Sequence, residues 1–436
     1  MTTRLRNIVV RTTLAIVFIP LILFSLSLWR AQVQVGPSGV HERLFMPIGP
    51  GAIKIPLHSG TADRQSIPGF LDGPVVKLAA NGTWRASWFC EDKPISRTGA
   101  GALNISCGGR QHRFDIASHS APPESVLAMP AKILMLSDIE GNSVFLDKTL
   151  QDLGVMNANG GWTYGANRLV IAGDAVDRGR EVFAVLWRLH GLSLQAAKAG
   201  GGVTLVLGNH DQYLLRGNMT RAHREHVFAL EKLGGQATAF AADTVIGEWL
   251  RQQPVMLKVG RVLVTHGGVS PVVAAQGYSV AQLNDVMRAY WLGKRDTEAR
   301  LSTVLGRDGI TQYRGYFDAM DGAYPKATQA DIDKAAAAFD VDTIVVGHTI
   351  VNKITPMFNG RVYPIDLNSN TASPEALLFE NGKPGIVKTS PRLLPEEEKG
   401  VKHKLRPIDL TSSGDWAMLK GAVQKFYALS KIPDPY

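Results

Sequence analysis

The segment Leu169–Gly179, LVIAGDAVDRG, decides the fold of this chain. Its first four residues are apolar and predict a short buried strand. Asp174, Asp177 and Arg178 follow that strand directly, and the glycines beside them permit sharp turns and close approach of the backbone. Polar residues at the carboxyl end of a buried strand are typical of the edge of an α/β sheet at which binding sites are built.

Four more apolar runs end in the same way. From Lys132 onward, compact apolar runs alternate with segments of helical periodicity, which predicts an α/β domain. The runs are Ile133–Leu136 before Asp138 and Glu140, Val203–Leu207 before Gly208-Asn209-His210-Asp211, Val262–Thr265 before His266-Gly267-Gly268, and Thr343–Val346 before Gly347-His348-Thr349. Helices are predicted at Ser143–Leu153 and Arg180–Ala199. Five such endings at one sheet edge predict a single shared site.

The composition restricts the class of protein. The chain has 436 residues, 45% of them hydrophobic and 19% charged, which excludes a mainly disordered protein and allows one large core or two unequal ones. The formal net charge of +9 suits an anionic partner such as a phosphate group. No basic stripe with interleaved aromatic residues stands out, so no nucleic-acid partner is expected.

The five polar groups combine carboxylates, an amide oxygen and imidazoles. This set of donors binds two divalent cations a few ångströms apart, with room for a bridging water. Such a centre hydrolyses phosphate esters by attack of a metal-activated water, while a nearby acid protonates the leaving oxygen. The residues therefore predict a dinuclear metal-dependent hydrolase of phosphate esters.

The motifs resemble those of the calcineurin-like metallophosphoesterases, and within them the phosphoprotein phosphatases of the bacterial Shewanella-like branch. The resemblance covers about residues 132–386 and rests on five elements: Gly173–Gly179, Gly208–Asp211, His266–Gly268, Tyr313–Tyr316 and Gly347–Thr349. It implies a four-layer α/β sandwich of two sheets in a domain at 125–390. It also implies hydrolysis of phosphomonoesters in proteins, with phosphotyrosine expected before phosphoserine or phosphothreonine.

The same resemblance assigns roles to individual residues. The first metal ion would be held by Asp138, Glu140 and Asp174, and the second by Asp174, Asn209, His266 and His348. His210, oriented by Asp177, would be the general acid, and phosphate would be bound by Arg178, Arg314 and Asn209. Asp211 is expected to support the turn. Two divalent cations are expected as cofactors, with manganese first and iron, zinc or magnesium as alternatives.

Glu140 departs from the family pattern, which has a histidine ligand at this position. A carboxylate can still bind a metal, but it makes the first site harder and more negative. The substitution predicts a preference for oxygen-binding cations such as manganese or magnesium. The alternative is a site that binds metal poorly, in a phosphate-binding relic.

Two alternative functions remain open from the sequence. The first keeps the metals but changes the substrate to a nucleotide or another small phosphate ester, because the same chemistry serves diesters and anhydrides. The second is an inactive membrane-tethered scaffold whose amino-terminal domain binds a partner. Metal content and diester activity separate these alternatives.

The amino-terminal part predicts export. Thr12–Trp29 is an uncharged run with arginines on both sides, which favours a single membrane-spanning helix within residues 1–30 over a cleaved signal peptide. The positive-inside rule then places the catalytic domain on the periplasmic side of the inner membrane. A small β-rich domain is predicted at 31–124, and Cys90 and Cys107 within it predict a disulfide, with two unpaired thiols as the alternative.

Two further segments complete the prediction. The amphipathic segment Ser279–Arg300 predicts a cap-like helix in which Tyr290 and Trp291 line a pocket for an aromatic phosphate, or simply pack against the core. Residues 391–436 predict a peripheral tail with a helix at Asp415–Leu429.

Overall fold

The computed structural model of the chain describes residues 25–35, 41–48, 51–56, 70–91, 93–118, 121–294, 298–318, 324–367, 374–392 and 404–430. These residues belong to two compact units, one drawn from residues 1–65 and 397–432 and the other from 66–396 and 433–436. The β-rich segment predicted at 31–124 is therefore divided between the units. Most of the predicted tail joins the first unit.

The described residues of the first unit form a four-stranded antiparallel sheet, a short helical segment at residues 25–29 and a longer helix near the carboxyl end. The sheet has the order β19-β1-β2-β3 and is formed by β1 (Gln32–Val35), β2 (His41–Ile48), β3 (Gly51–Pro56) and β19 (Lys404–Pro407). The longer helix, α11, spans Ser413–Ser430, where the periodicity predicted 415–429. Apolar residues of β1 and β2, among them Val33 and Leu44, form its small core. Pairing of β19 with β1 brings the two ends of the sequence into one unit.

Residues 66–124 belong to the second unit. They form a three-stranded sheet and a hairpin, built from β4 (Leu71–Leu78), β5 (Thr83–Cys90), β6 (Lys93–Ala100), β7 (Leu103–Cys107) and β8 (Arg110–Phe114). A disulfide joins Cys90 of β5 to Cys107 of β7. The indole of Trp187 donates to the carbonyl of Pro74 at 2.9 Å, and the buried imidazole of His226 bonds Asp72 at 2.7 Å. These buried contacts explain why the strands pack with the α/β core.

Two five-stranded sheets form that core. The first has the order β12-β11-β10-β17-β18, with β10 (Lys132–Leu136), β11 (Arg168–Ile171), β12 (Gly202–Leu205), β17 (Glu375–Glu380) and β18 (Lys383–Lys388). The second has the order β16-β15-β14-β13-β9, with β9 (Val126–Leu127), β13 (Met256–Val259), β14 (Val262–Thr265), β15 (Thr343–Val346) and β16 (Val362–Pro364). Parallel pairing of β10 with β11, of β11 with β12 and of β14 with β15 puts the predicted site residues at matching strand ends.

The helices of this unit lie in the connections between its strands. They are α1 (Ser143–Asp152), α2 (Val182–Lys198), α3 (Asn209–Arg216), α4 (Arg224–Lys232), α5 (Gln236–Ala239), α6 (Val245–Gln252), α7 (Pro271–Ala275), α8 (Val280–Trp291), α9 (Glu298–Leu305) and α10 (Gln329–Ala338). The single helix predicted at 279–300 is wrong, since α8 ends at Trp291 and α9 is a separate helix. Leu283 and Val286 of α8 are buried in the core, and Tyr290 and Trp291 pack partly buried against it.

Alternation along the strands divides the core into layers. Ile133 and Met135 of β10 pack in one cluster with Leu257 and Val264 of the other sheet, so this apolar layer lies between the two sheets. Leu134 and Leu136 point the opposite way and pack with helical residues such as Phe145. The arrangement is the predicted sandwich, with helices on the outer face of each sheet.

The predicted membrane anchor lies mostly outside the described residues, since 1–24 are not among them. In the part of the chain that the structure describes, no helix has both the length and the apolar character needed to span a bilayer.

Candidate metal centre

Six strand ends bring side chains to one site. β10 leads to Asp138 and Glu140, β11 to Asp174, and β12 to Asn209 and His210 at the start of α3; β14 leads to His266, β15 to His348 and β16 to Asp366. Buried Asp366 was missed by the sequence analysis, although it follows a strand as the other residues do. We call Asn209, His266 and His348 the histidine half of the centre and Asp138, Glu140 and Asp366 the carboxylate half. Asp174 is common to both.

The backbone is unusual at these strand ends. Asp138, Glu140, Asp174 and His348 have φ between 52° and 65°, in the left-handed region that non-glycine residues seldom adopt. Such conformations cost free energy and persist where the surrounding structure enforces them. Their concentration here is typical of a functional site.

Two glycines show how tightly the centre is packed. Gly173 has a φ of 94°, and a Cβ atom there would overlap the His266 ring and lie 2.9 Å from the Cα of Gly208. A Cβ atom on Gly208 would overlap the Asp174 carboxylate. Both positions therefore require glycine for the strand ends to approach each other.

His266 faces two oxygen atoms that cannot donate a hydrogen bond to it. Its Nδ1 bonds the Ala172 carbonyl at 2.7 Å, which makes Nδ1 the donor and leaves the lone pair on Nε2. That Nε2 lies 3.0 Å from Asp174 Oδ2 and 3.2 Å from Asn209 Oδ1. Three acceptors this close require a proton or a cation between them. Ligand atoms of Asp174, His266 and His348 all lie within 4.8 Å of one another.

Electrostatics lead to the same conclusion. Burial opposes a charge on His266, but Asp174 outweighs it and raises the pKa of the imidazole to about 10. Burial would raise the pKa of Asp174, yet His266 and His210 lower it. Burial and the neighbouring His266 lower the pKa of His348, so this ring is neutral and suited to metal binding.

His210 forms a dyad with Asp177. The two side chains are nearly completely buried, and Nδ1 of His210 lies 2.8 Å from Asp177 Oδ2. The other nitrogen, Nε2, lies 3.9 Å from Asp174 Oδ2 and so faces the centre. Burial acts against protonation, but Asp174 and Asp177 together raise the pKa of His210. A protonated imidazole aimed at the centre can donate a proton to a leaving oxygen.

The carboxylate half is crowded with negative charge. Burial and the charge of Asp366 raise the pKa of Asp138 well above its usual value. Burial also raises the pKa of Glu140 to about 7, although an ion pair with the half-exposed Arg178 acts against this shift. Arg178, predicted to bind phosphate, is thus paired with the residue that departs from the family pattern.

Other predicted residues lie at the same site. Arg314 donates to the carbonyl of His348 at 2.6 Å and to its Nδ1 at 3.3 Å, which places the guanidinium beside the histidine half. Asp211 supports the turn, because its carboxylate accepts from the backbone N–H groups of Gly208, Asp174 and Ala175 at 2.8 to 3.0 Å. The metal-binding, catalytic and phosphate-binding roles of the individual residues stay predictions.

The donors present fit divalent cations. Nε2 of His348 bonds the Gln312 carbonyl at 3.1 Å, as Nδ1 of His266 bonds Ala172, so a backbone carbonyl orients each ring. The other nitrogen of His266 faces Asp174, and that of His348 lies beside Arg314. Carbonyl partners of this kind are usual behind metal-binding histidines. Asp138, Glu140 and Asp174 would hold one ion, and Asp174, Asn209, His266 and His348 the other.

The sequence model of the calcineurin-like phosphoesterase family matches residues 131–352, about half of the chain. The chain belongs to this family. The matched range contains the Asp177–His210 dyad and every strand that leads to a site residue except β16. Divalent metal ions are therefore implied for this protein, without their identity.

Relatives of known sequence and structure agree with this assignment. Shewanella-like protein phosphatase 1 of Plasmodium berghei is 25% identical over 286 residues, which cover 62% of this chain and 77% of that protein. The crystal structure of a cold-active protein-tyrosine phosphatase from a psychrophilic Shewanella species is similar with a TM-score of 0.65 and 27% identity, covering 74% of this chain and all of that one. A second structure of a cold-active protein tyrosine phosphatase, at 1.1 Å, is similar with a TM-score of 0.66 and 27% identity, covering 73% of this chain and 97% of that one. Homology to Shewanella-like phosphatases, expected from the motifs, is confirmed.

Proposed function

We propose that this chain is a dinuclear metal-dependent phosphomonoesterase that acts on phosphorylated proteins. The observation that carries the proposal is the arrangement of the His210–Asp177 dyad, whose imidazole faces Asp174, together with two arginines at the same site, Arg178 paired with Glu140 and Arg314 bonded to His348. Divalent cations in such a site lower the pKa of water and neutralise charge on phosphoryl oxygens. The chain's own residues would bind the phosphate through guanidinium groups and protonate the leaving oxygen through His210.

An aromatic leaving group has particular support. The ring of Tyr213, one turn after His210 on α3, lies edge-on to the imidazole with centroids 5.4 Å apart. Its hydroxyl accepts from the side chain of Gln312 at 3.1 Å, two residues before Arg314. Because His210 would protonate the leaving oxygen, the departing alcohol would lie near His210, whose ring Tyr213 contacts. Phosphotyrosine, the substrate class named for the Shewanella relatives, is therefore the first substrate to test.

The test is hydrolysis of p-nitrophenyl phosphate by the purified full chain, after chelation and again after addition of manganese, magnesium, zinc or iron. Metal-restored turnover of the monoester, and little turnover of bis-p-nitrophenyl phosphate, is the expected result. Matched phosphopeptides that differ only in Tyr, Ser or Thr then define the protein substrate. A folded chain that shows no turnover with any cation would overturn the enzyme assignment, and preferential diester turnover would favour the nucleotide alternative.

We also propose that the catalytic unit works outside the cytoplasm, attached to the inner membrane by the amino-terminal segment. The Cys90–Cys107 disulfide supports an oxidising compartment, since such bonds are rare in reducing ones. Cell fractionation with an alkaline carbonate wash, combined with thiol labelling before and after reduction, tests this proposal. Recovery in the soluble cytoplasmic fraction with two free thiols would contradict it.

A further inference from the structure

Arg392 reaches the centre from a part of the chain that lies outside the family match and outside every motif. It follows β18, and its Nη2 donates to the backbone carbonyl of Asp138 at 2.5 Å and lies 3.4 Å from that of Ser137. The guanidinium also lies over the ring of Phe145 in α1, 4.3 Å from the ring centroid. The side chain is thus held by a ring on one side and by two carbonyl groups at its end.

The segment that carries Arg392 is itself fixed. The N–H of Thr389 donates to the Pro374 carbonyl at 2.9 Å, and the hydroxyl of Ser390 bonds Asp152 at the end of α1. Arg392 then contacts Phe145 at the beginning of the same helix. The segment therefore runs along α1 and delivers a guanidinium to the turn between β10 and α1.

That turn carries two residues of the carboxylate half. Asp138 and Glu140 both have φ of 53°, and their N–H groups bond the carbonyls of Gly173 and Asp174 at 2.9 and 3.0 Å. The carbonyl of Asp138 lies between these two positions, and Arg392 bonds it. A guanidinium at this point opposes relaxation of the turn toward an ordinary backbone conformation.

We propose that Arg392 is a positioning residue, which holds the Asp138–Glu140 turn so that both carboxylates face the first metal ion. The proposal rests on the two-metal centre of the proposed function. Two effects of Arg392 have opposite signs. Its positive charge close to the centre repels a divalent cation, whereas its hold on the turn preorganises the carboxylates that bind one. Preorganisation of the carboxylates is the larger of the two effects.

The experiment is a manganese titration of the chelated full chain. Binding is measured by calorimetry and by the EPR signal of free manganese. Arg392→Met should weaken one of the two sites by about 10- to 100-fold, the range usual for residues that orient metal ligands, and leave the other site within about threefold. Arg392→Lys keeps the charge but loses the planar guanidinium and its stacking on the Phe145 ring, so its manganese affinity should resemble that of Arg392→Met. Lys388→Met, which removes an exposed charge from β18, is the matched control and should bind as the wild type does.

Each outcome has a definite meaning. Tighter manganese binding in a folded Arg392→Met protein would overturn the proposal, because repulsion by the Arg392 charge would then be the larger effect. Unchanged binding would also overturn it, because Arg392 would then have no role in metal binding. If Arg392→Met does not fold, Arg392→Lys decides by the same titration. A wild-type chain that binds manganese but hydrolyses no phosphate ester contradicts the proposed function and leaves this test valid. If the wild type binds no manganese, amide hydrogen exchange decides, since the proposal requires faster exchange at residues 138–141 in both variants.

Discussion

The two halves of the centre differ in how they neutralise the Asp174 carboxylate and its neighbours. In the histidine half, two imidazoles are oriented by the carbonyls of Ala172 and Gln312, and one of them lies 3.0 Å from Asp174. In the carboxylate half, burial and the charge of Asp366 raise the pKa of Asp138, and burial raises the pKa of Glu140 against the opposing charges of Arg178 and Arg392. The first half keeps the family pattern, while the second has a carboxylate in place of a histidine and surrounds it with guanidinium groups. In this chain, Arg178 and Arg392 offset part of the negative charge that Glu140 adds.

The largest expected effect comes from the residue that the halves share. Asp174→Ala should remove both metal ions and abolish turnover, a loss greater than the roughly 10²–10⁴-fold that a missing general acid causes. The reason is that its carboxylate faces His266 and His210 and would be a ligand in each half. Elemental analysis after gel filtration measures the metal, and circular dichroism confirms the fold. A metal-replete Asp174→Ala protein would contradict the shared role.

Next in size is the dyad beside the histidine half. His210→Gln and Asp177→Asn should lower kcat by roughly 10²–10⁴-fold with a poor leaving group such as an alkyl phosphate, while both metals stay bound. With p-nitrophenyl phosphate the loss should be smaller, because p-nitrophenolate leaves without protonation. Steady-state kinetics on the two substrates measure the difference. Equal losses on both would argue against His210 as the acid.

The strand ends that carry motifs could be predicted because burial and turn chemistry act locally. Leu169–Ala172 predicts the last part of β11, and Val262–Thr265 coincides with β14, since a parallel strand covered on both faces must be apolar throughout. Glycines next to Asp174 and His348 mark the turns, because a sharp turn also depends on the residues directly at that position. The roles of the site residues came from the resemblance, and their positions at one site agree with it.

Other features depend on contacts between residues far apart in sequence, and no local pattern contains them. Arg392 is 254 residues from the carbonyl that it bonds. Pairing of β19 with β1 joins the tail to the amino-terminal strands, so the unit boundaries could not be obtained from changes in composition. Asp366 is an intermediate case, because it follows a strand but lacks the flanking glycines that marked the other sites.

A smaller effect is expected from a substitution that gives the carboxylate half a histidine donor. Glu140→His replaces an oxygen donor by the family's nitrogen donor and removes one negative charge, which should favour zinc or iron over magnesium. We expect the ratio of zinc to magnesium affinity to rise by roughly tenfold. Competition titrations of the chelated proteins measure this ratio, with Lys388→Met as a control outside the centre. An unchanged ratio would mean that Glu140 does not bind the first metal.

The last expected effect concerns the stability of the metal-free protein rather than its turnover or its metal binding. The pKa of Glu140 is about 7 in the folded chain and near 4.5 when unfolded, so the folded state binds an extra proton between these values. Glu140 therefore destabilises the chelated protein most above pH 7, on the order of 3 kcal/mol, and the penalty disappears as the pH falls toward 4.5.

Glu140→Gln, a neutral side chain of the same shape, should accordingly be more stable than the wild type at pH 8 and nearly equal to it at pH 5. Urea unfolding of both chelated proteins across this range gives the difference in free energy of unfolding. A difference that does not vary with pH would show that Arg178 neutralises Glu140 completely. Glu140 would then add no surplus charge to the carboxylate half, and at position 140 the contrast between the two halves would reduce to the kind of donor atom alone.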